Sequence, residues 1–273
     1  MEAAFFDLDK TLISTSSSLA LSRPLYRAGM VSRAQLLRGA YGQLAYVLLG
    51  ADEGRMERMR DRMLMLSRGW DRGEVEDLVR DVIVDLVDPY VYQEGLDLLA
   101  EHRAAGRRTF IVSSSPEEIV RPLAAHFGVE DVLATRARIV DGRYTGDLDF
   151  YCAGPGKAEA MRDVAEREDI DLAASFAYSD SIADLPMLKA VGHPFAVNPD
   201  RDLRREAEAS GWPVLAFERP VRLRTRIART AAEPRAQATA GVIAGITAAA
   251  VVGWMLVRAR RTRHGAGGTG QRP

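Results

Sequence analysis

The feature that most constrains the fold is a unit that recurs along the chain. A short apolar, β-favouring run ends on an acid or a hydroxyl, and a helix-like stretch follows. Ala3–Phe6 runs into Asp7-Leu8-Asp9, and Thr109–Val112 runs into Ser113–Ser115. Phe176–Tyr178 ends near Asp180, and Phe195–Val197 and Val214–Phe217 are further runs of the same kind. Helical stretches lie between them at 93–105, from Pro116 to about Phe127, at Lys157–Glu168, Asp184–Ala190 and Asp202–Ser210. Strands alternating with helices predict an α/β, Rossmann-like parallel sheet with helices on both faces. Residues 132–147 read as a hairpin turning at Asp141-Gly142.

Residues 14–88 interrupt this rhythm. They hold few β-branched residues and many Leu, Met, Arg and Ala. Apolar positions in Met56–Leu66 and Val75–Leu86 recur at three- and four-residue spacing, which predicts amphipathic helices. The expected organisation is a core of 1–13 and 89–218 with a helical insert, 14–88, after the first strand.

The C-terminal part has a different chemistry. Residues 1–218 carry 26 basic and 37 acidic side chains, whereas 219–273 carry eleven arginines and one acid, Glu233. A basic linker at 219–235 leads to 236–257, AQATAGVIAGITAAAVVGWMLV, which contains no charge. Twenty-two helical residues at about 1.5 Å each span roughly 33 Å, enough for a bilayer core of about 30 Å. Arginines flank the run, Trp254 lies near one end, and Gly241 and Gly245 offer a helix-pairing face for a dimer. The expectation is a single C-terminal transmembrane helix followed by a basic, disordered tail at 258–273. The alternative is an Ala-rich helix packed on the core of a soluble cytoplasmic protein.

At the N-terminus, Glu2, Asp7 and Asp9 interrupt any signal-peptide run. The folded N-terminal part is therefore expected in the cytoplasm, tail-anchored to the cytoplasmic membrane. The one cysteine, Cys152, allows no internal disulfide and no cysteine zinc cluster. The acidic body does not suit a nucleic-acid partner, and the overall composition excludes a disordered, collagen-like or multi-span membrane chain.

In a parallel sheet, ligands bind at the carboxyl ends of the strands. Asp7, Asp9, Ser113, Asp180 and Asp184 fall there, and Lys157 begins a helix between two of the strands. Each alone reads as a cap, turn or surface residue. Together, four acids, a hydroxyl and a lysine suit a divalent cation and a phosphate.

The motifs resemble those of the haloacid-dehalogenase-like (HAD) hydrolases, and more closely subfamily IB, the branch with the phosphoserine phosphatases. FFDLDKTL is similar to the DxDxT motif, IVSSS to the second motif, Lys157 to the third, and SDSIADLPML to the acidic fourth. The hairpin RIVDGRYTGDL adds to the likeness, which spans residues 3–200. The DKT substring is shared with P-type ATPases, but a Gly follows there and Leu12 follows here.

The resemblance implies a Mg²⁺-dependent phosphomonoester hydrolase acting on a small phosphorylated metabolite. Asp7 would form an aspartyl-phosphate, and Asp9 would be the acid and base. Mg²⁺ would lie on Asp7, the Asp9 carbonyl and Asp180. Ser113 and Lys157 would hold phosphate oxygens, with Thr11 bracing the loop beside them. Asp184 would orient Lys157 or a metal-bound water. In the phosphoserine enzymes a Glu nine residues after the nucleophile and an Arg in a helical stretch read the amino acid. Ser16 and Arg62 are the matching positions, and Ala183 stands where Asn is usual. The rival reading is a membrane-tethered regulatory or binding protein that keeps the fold without turnover.

Overall fold

A computed structural model describes residues 1–32, 61 and 64–218. Arg62, most of the helix expected over Met56–Leu66, and the linker, anchor and tail expected at 219–273 lie outside the described residues. Among the described residues no helix is long and apolar enough to cross a membrane.

Seven strands form one sheet in the order β4-β3-β2-β1-β5-β6-β7. They are β1 (Ala3–Asp7), β2 (Arg108–Pro116), β3 (Asp131–Val140), β4 (Arg143–Phe150), β5 (Phe176–Ser179), β6 (His193–Val197) and β7 (Val214–Leu215). All neighbours are parallel except β3 and β4, which form the expected hairpin. Its turn residues have positive φ, +49° at Asp141 and +74° at Gly142, as the right-handed twist of a two-residue turn requires.

The chain order places the site. From β1 the sheet grows one way through β2 and β3, and the other way through β5, β6 and β7. The carboxyl ends of β1, β2 and β5 therefore meet where the winding reverses, which is where open α/β sheets bind ligands. Asp7 pairs with Val112, so Ser113 lies one residue beyond, and Phe6 pairs with both Ile111 and Tyr178.

β1 is buried on both faces, and its alternation splits the core in two. Ala4 and Phe6 join a cluster with Ile111, Leu99 and Val120. Ala3 and Phe5 join Phe110, Val112 and Met161 on the other face. Burying each Phe stabilises the fold by about 1.5–3 kcal/mol. The first face is covered by α3 (Arg72–Val87), α4 (Gln93–Ala104) and α5 (Glu117–His126). The second is covered by α6 (Pro155–Glu168), α7 (Leu185–Lys189) and α8 (Arg201–Ser210).

Two short helices, α1 (Ser17–Ala20) and α2 (Ser22–Arg27), follow the loop after β1. In α3, Val79, Ile83 and Val87 recur every four residues and pack into the same cluster as Phe6. Asp71 starts that helix, its Oδ1 accepting from the Gly73 N–H at 2.9 Å. The preceding residues are tied to the hairpin: Gly69 N–H donates to the Tyr144 carbonyl at 2.8 Å, and Arg72 N–H to that of Gly142 at 2.9 Å.

Two boundaries at the site differ from the sequence reading. β2 continues past Val112 to Pro116, so Ser113–Ser115 are strand residues and Pro116 is the N-cap of α5. The helix expected from Asp184 begins as a 3₁₀ turn, Ile182–Asp184, and becomes α7 only at Leu185. Serines have low intrinsic strand preference, and only pairing with β3 extends the strand through them.

Candidate active site

The loop after β1 closes tightly. Leu12 and Ile13 N–H both donate to the Leu8 carbonyl, at 3.0 and 3.1 Å, and Lys10 adopts φ +65°. This turn sets Asp7 and Asp9 on the same rim of the sheet and buries Thr11 beneath them.

The centre of the site is a buried ion cluster. Lys157, in the first turn of α6, donates from Nζ to Asp7 Oδ1 at 2.5 Å and to Asp184 Oδ2 at 2.7 Å. All three residues are at most 6% exposed. The same Asp184 oxygen also accepts from the Ser179 hydroxyl, at 2.6 Å. Asp180 completes the rim, with Thr11 Oγ1 donating to its Oδ1 at 3.4 Å.

The electrostatics follow from three carboxylates around one ammonium. Burial raises the Asp7 carboxyl well above the usual range; Lys157 opposes this, and the charges of Asp184 and Asp180 add to it. Asp180 is pushed up to about 6, first by burial, with Lys10 opposing and Asp184 adding. Burial works to lower the Lys157 ammonium, but Asp184 and Asp7 outweigh it and hold the lysine charged. The cluster is thus short of positive charge, as a site built for a cation would be.

Among the described residues, no three His, Cys, Asp or Glu side chains converge as a metal cluster. Asp7, Asp180 and the Asp9 main-chain carbonyl are oxygen donors of the kind a hard cation takes, and are the groups that would hold Mg²⁺.

Asp9 has partners that the sequence did not reveal. Its Oδ1 accepts from the Ser17 N–H at 2.6 Å. Its Oδ2 accepts from the Ser17 hydroxyl at 3.2 Å and the Ser115 hydroxyl at 3.0 Å. Burial raises its carboxyl, and these donors oppose the rise. Asp200 was missed as well: it caps α8 and accepts from Ile182 N–H at 2.9 Å and the Ser181 hydroxyl at 3.1 Å, holding the Asp180–Asp184 loop.

The structure therefore brings together Asp7, Asp9, Thr11, Lys157, Asp180 and Asp184. Ser113 is buried within β2, at its bulge, its Oγ accepting from the Ser115 N–H at 3.1 Å. Ser16 is half-buried beside Ser17, its carbonyl accepting from Ala20 N–H at 3.1 Å.

A sheet of this order with an acidic rim around a buried lysine defines a HAD-type hydrolase, and comparison with known proteins agrees. The family model for haloacid dehalogenase-like hydrolases matches residues 4–189, and the chain belongs to that family. Among its relatives is a protein of Mycobacterium tuberculosis named a probable phosphatase, 47% identical over 256 residues, covering 94% of this chain and 89% of that one. A protein of Streptomyces azureus named for inhibition of morphological differentiation is 47% identical over 262 residues, covering 96% and 94%. A phosphoserine phosphatase of M. tuberculosis is 33% identical over 232 residues, covering 84% and 73%. A crystal structure of a protein of unknown function from Bordetella pertussis superposes with a TM-score of 0.69 at 29% identity, over 78% of this chain and 97% of that one.

Proposed function

We propose that the chain is a Mg²⁺-dependent phosphomonoesterase that works through an aspartyl-phosphate on Asp7. The observation that carries this is the Lys157 ammonium shared between buried Asp7 and Asp184, with Asp180 alongside. Phosphatase names among the relatives support the same class.

Lys157 occupies Oδ1 of Asp7, which leaves Oδ2 for the attack on phosphorus. The P–O bond to the leaving group breaks, and Asp9 gives its proton to the departing oxygen. Water then attacks the aspartyl-phosphate, Asp9 takes the water's proton, and phosphate leaves with Asp7 restored. Mg²⁺ would be held by Asp7, Asp180 and the Asp9 carbonyl, and would supply neutralisation of charge on the phosphoryl oxygens. Lys157 and Ser113 provide fixed donors to those oxygens. Turnover of p-nitrophenyl phosphate that requires Mg²⁺ and stops in EDTA is the expected result. Turnover that ignores both would contradict the reading.

The substrate is a small phosphate monoester. Ser16 carries no carboxylate to read an amino group, which argues against strong selection of phosphoserine, even though one relative bears that name. A preference for phosphoserine over simple alkyl phosphates beyond about a hundredfold in kcat/KM, about 2.7 kcal/mol, would overturn this.

We also infer that 236–257 anchors the enzyme at the cytoplasmic membrane. The support is its uncharged 22-residue run between arginine flanks. The full chain should stay with membranes in a high-salt wash, and release by salt alone would refute insertion.

A further inference from the structure

β2 carries a bulge where it passes the site. Ser113 pairs with Ala134 and Pro116 with the next residue of β3, Thr135, so three steps of β2 oppose a single step of β3. The bulge is fixed by the Thr135 hydroxyl, which donates to the Ser114 carbonyl at 2.8 Å, and by Ser115 N–H on Ser113 Oγ. Bulges re-aim side chains beside active sites. Here the consequence is that Ser115, 5% exposed, turns its hydroxyl onto Asp9 Oδ2 at 3.0 Å.

Ser17 meets the same carboxyl at both oxygens, its hydroxyl donating to Oδ2 beside that of Ser115 and its N–H to Oδ1. It is fully buried, sits in α1 at the start of the insert, and lies 3.0 Å from Ser115, Oγ to Oγ. Asp9 is thus gripped between a core strand and the first turn of the inserted segment. A carboxyl that must protonate one oxygen and later deprotonate a water needs a fixed direction, because proton transfer requires hydrogen-bond reach. Neither serine is placed to touch the phosphate oxygens in the reading above; both act through Asp9.

We propose that Ser115 is a positioning residue for proton transfer. Its hydroxyl, presented by the β2 bulge and shared with Ser17, sets the direction of the Asp9 carboxyl. This rests on Asp9 as the proton donor.

The test uses leaving groups of different need. A p-nitrophenolate departs without a proton, whereas an alkoxide does not. The full-length protein and its Ser115→Ala, Ser115→Thr, Ser17→Ala and Asp9→Asn variants are compared on p-nitrophenyl phosphate and on glycerol 2-phosphate. Ser115→Ala should lose at least tenfold more kcat on glycerol 2-phosphate than on p-nitrophenyl phosphate, about 1.4 kcal/mol of selective barrier. Asp9→Asn should show the same bias, larger, and Ser115→Thr, which keeps the hydroxyl, should recover most of the loss. Should Ser115→Ala fail to fold, Ser17→Ala carries the same comparison with the same threshold. Equal losses on both substrates, beside a biased Asp9→Asn, overturn the positioning role. An unbiased Asp9→Asn overturns Asp9 as the donor, and the proposal with it.

Discussion

Replacing Lys157 with Met keeps the stem's volume and deletes the charge. Asp7 Oδ1 and Asp184 Oδ2 then lose a shared donor at 2.5 and 2.7 Å, in a place only 3% exposed. Leaving a buried charge without its partner costs about 3–5 kcal/mol. Asp184 keeps the Ser179 hydroxyl at 2.6 Å, so most of the cost falls on Asp7. For a domain of this size, each kcal/mol moves the melting temperature by about 2–4 °C, giving a fall of about 6–20 °C near neutral pH. The pH dependence has a definite sign. Asp7 is already raised by burial, and losing the ammonium raises it further. A carboxyl whose folded pKa exceeds its unfolded one is stabilising at low pH and loses that as pH rises, so the gap from wild type should narrow between pH 7.5 and 5. Thermal unfolding followed by circular dichroism at both pH values, in EDTA and in Mg²⁺, measures this, and Mg²⁺ should restore part of the loss. A fall of less than about 2 °C at pH 7.5 in EDTA, or a gap that widens at pH 5, would refute the reasoning.

Two further perturbations probe the scaffold. His102 is buried, with Nε2 2.8 Å from the Tyr178 hydroxyl, and burial lowers its pKa to about 4, with Arg107 adding to the effect. Its neutral form stabilises the fold above pH 6.5 and that contribution fades as pH falls toward 4, so about 2 kcal/mol should be lost between pH 7.5 and 5; urea unfolding of His102→Leu should show that much less acid sensitivity. Gly156→Ala would put a Cβ 2.2 Å from the Tyr151 carbonyl oxygen, in the turn before Lys157. It should cost about 1–3 kcal/mol of stability and also lower kcat at temperatures where the variant is fully folded, whereas unchanged kcat would show that the start of α6 tolerates the shift.

What could be read from the sequence was what local pattern encodes. Asp7, Asp9, Asp180 and Asp184 were legible because each follows an apolar strand within a few residues, and Asp141-Gly142 announced its own turn. Lys157 was legible only in combination with the strand-end acids, since nothing local separates it from a surface lysine; what distinguishes it is a pair of carboxylates 150 and 27 residues away. The grip on Asp9 was invisible for the same reason. Ser17 and Ser115 lie 98 residues apart, and a triple serine before a proline reads as a helix cap until the pairing with β3 makes it a bulge. Asp200 likewise reads as the cap of α8, and its second task, holding Ile182 and Ser181, exists only once β6 is beside β5.

The central claim is that Asp7 becomes covalently phosphorylated. Rapid acid quench of the enzyme during turnover of a radiophosphorus-labelled monoester in Mg²⁺, followed by peptide mapping, tests it directly. The label should appear on the peptide that contains Asp7 and be absent from Asp7→Asn, whose turnover should fall at least about a hundredfold. Steady turnover with no label on that peptide, or an Asp7→Asn variant that keeps more than about a hundredth of wild-type activity, would contradict the account.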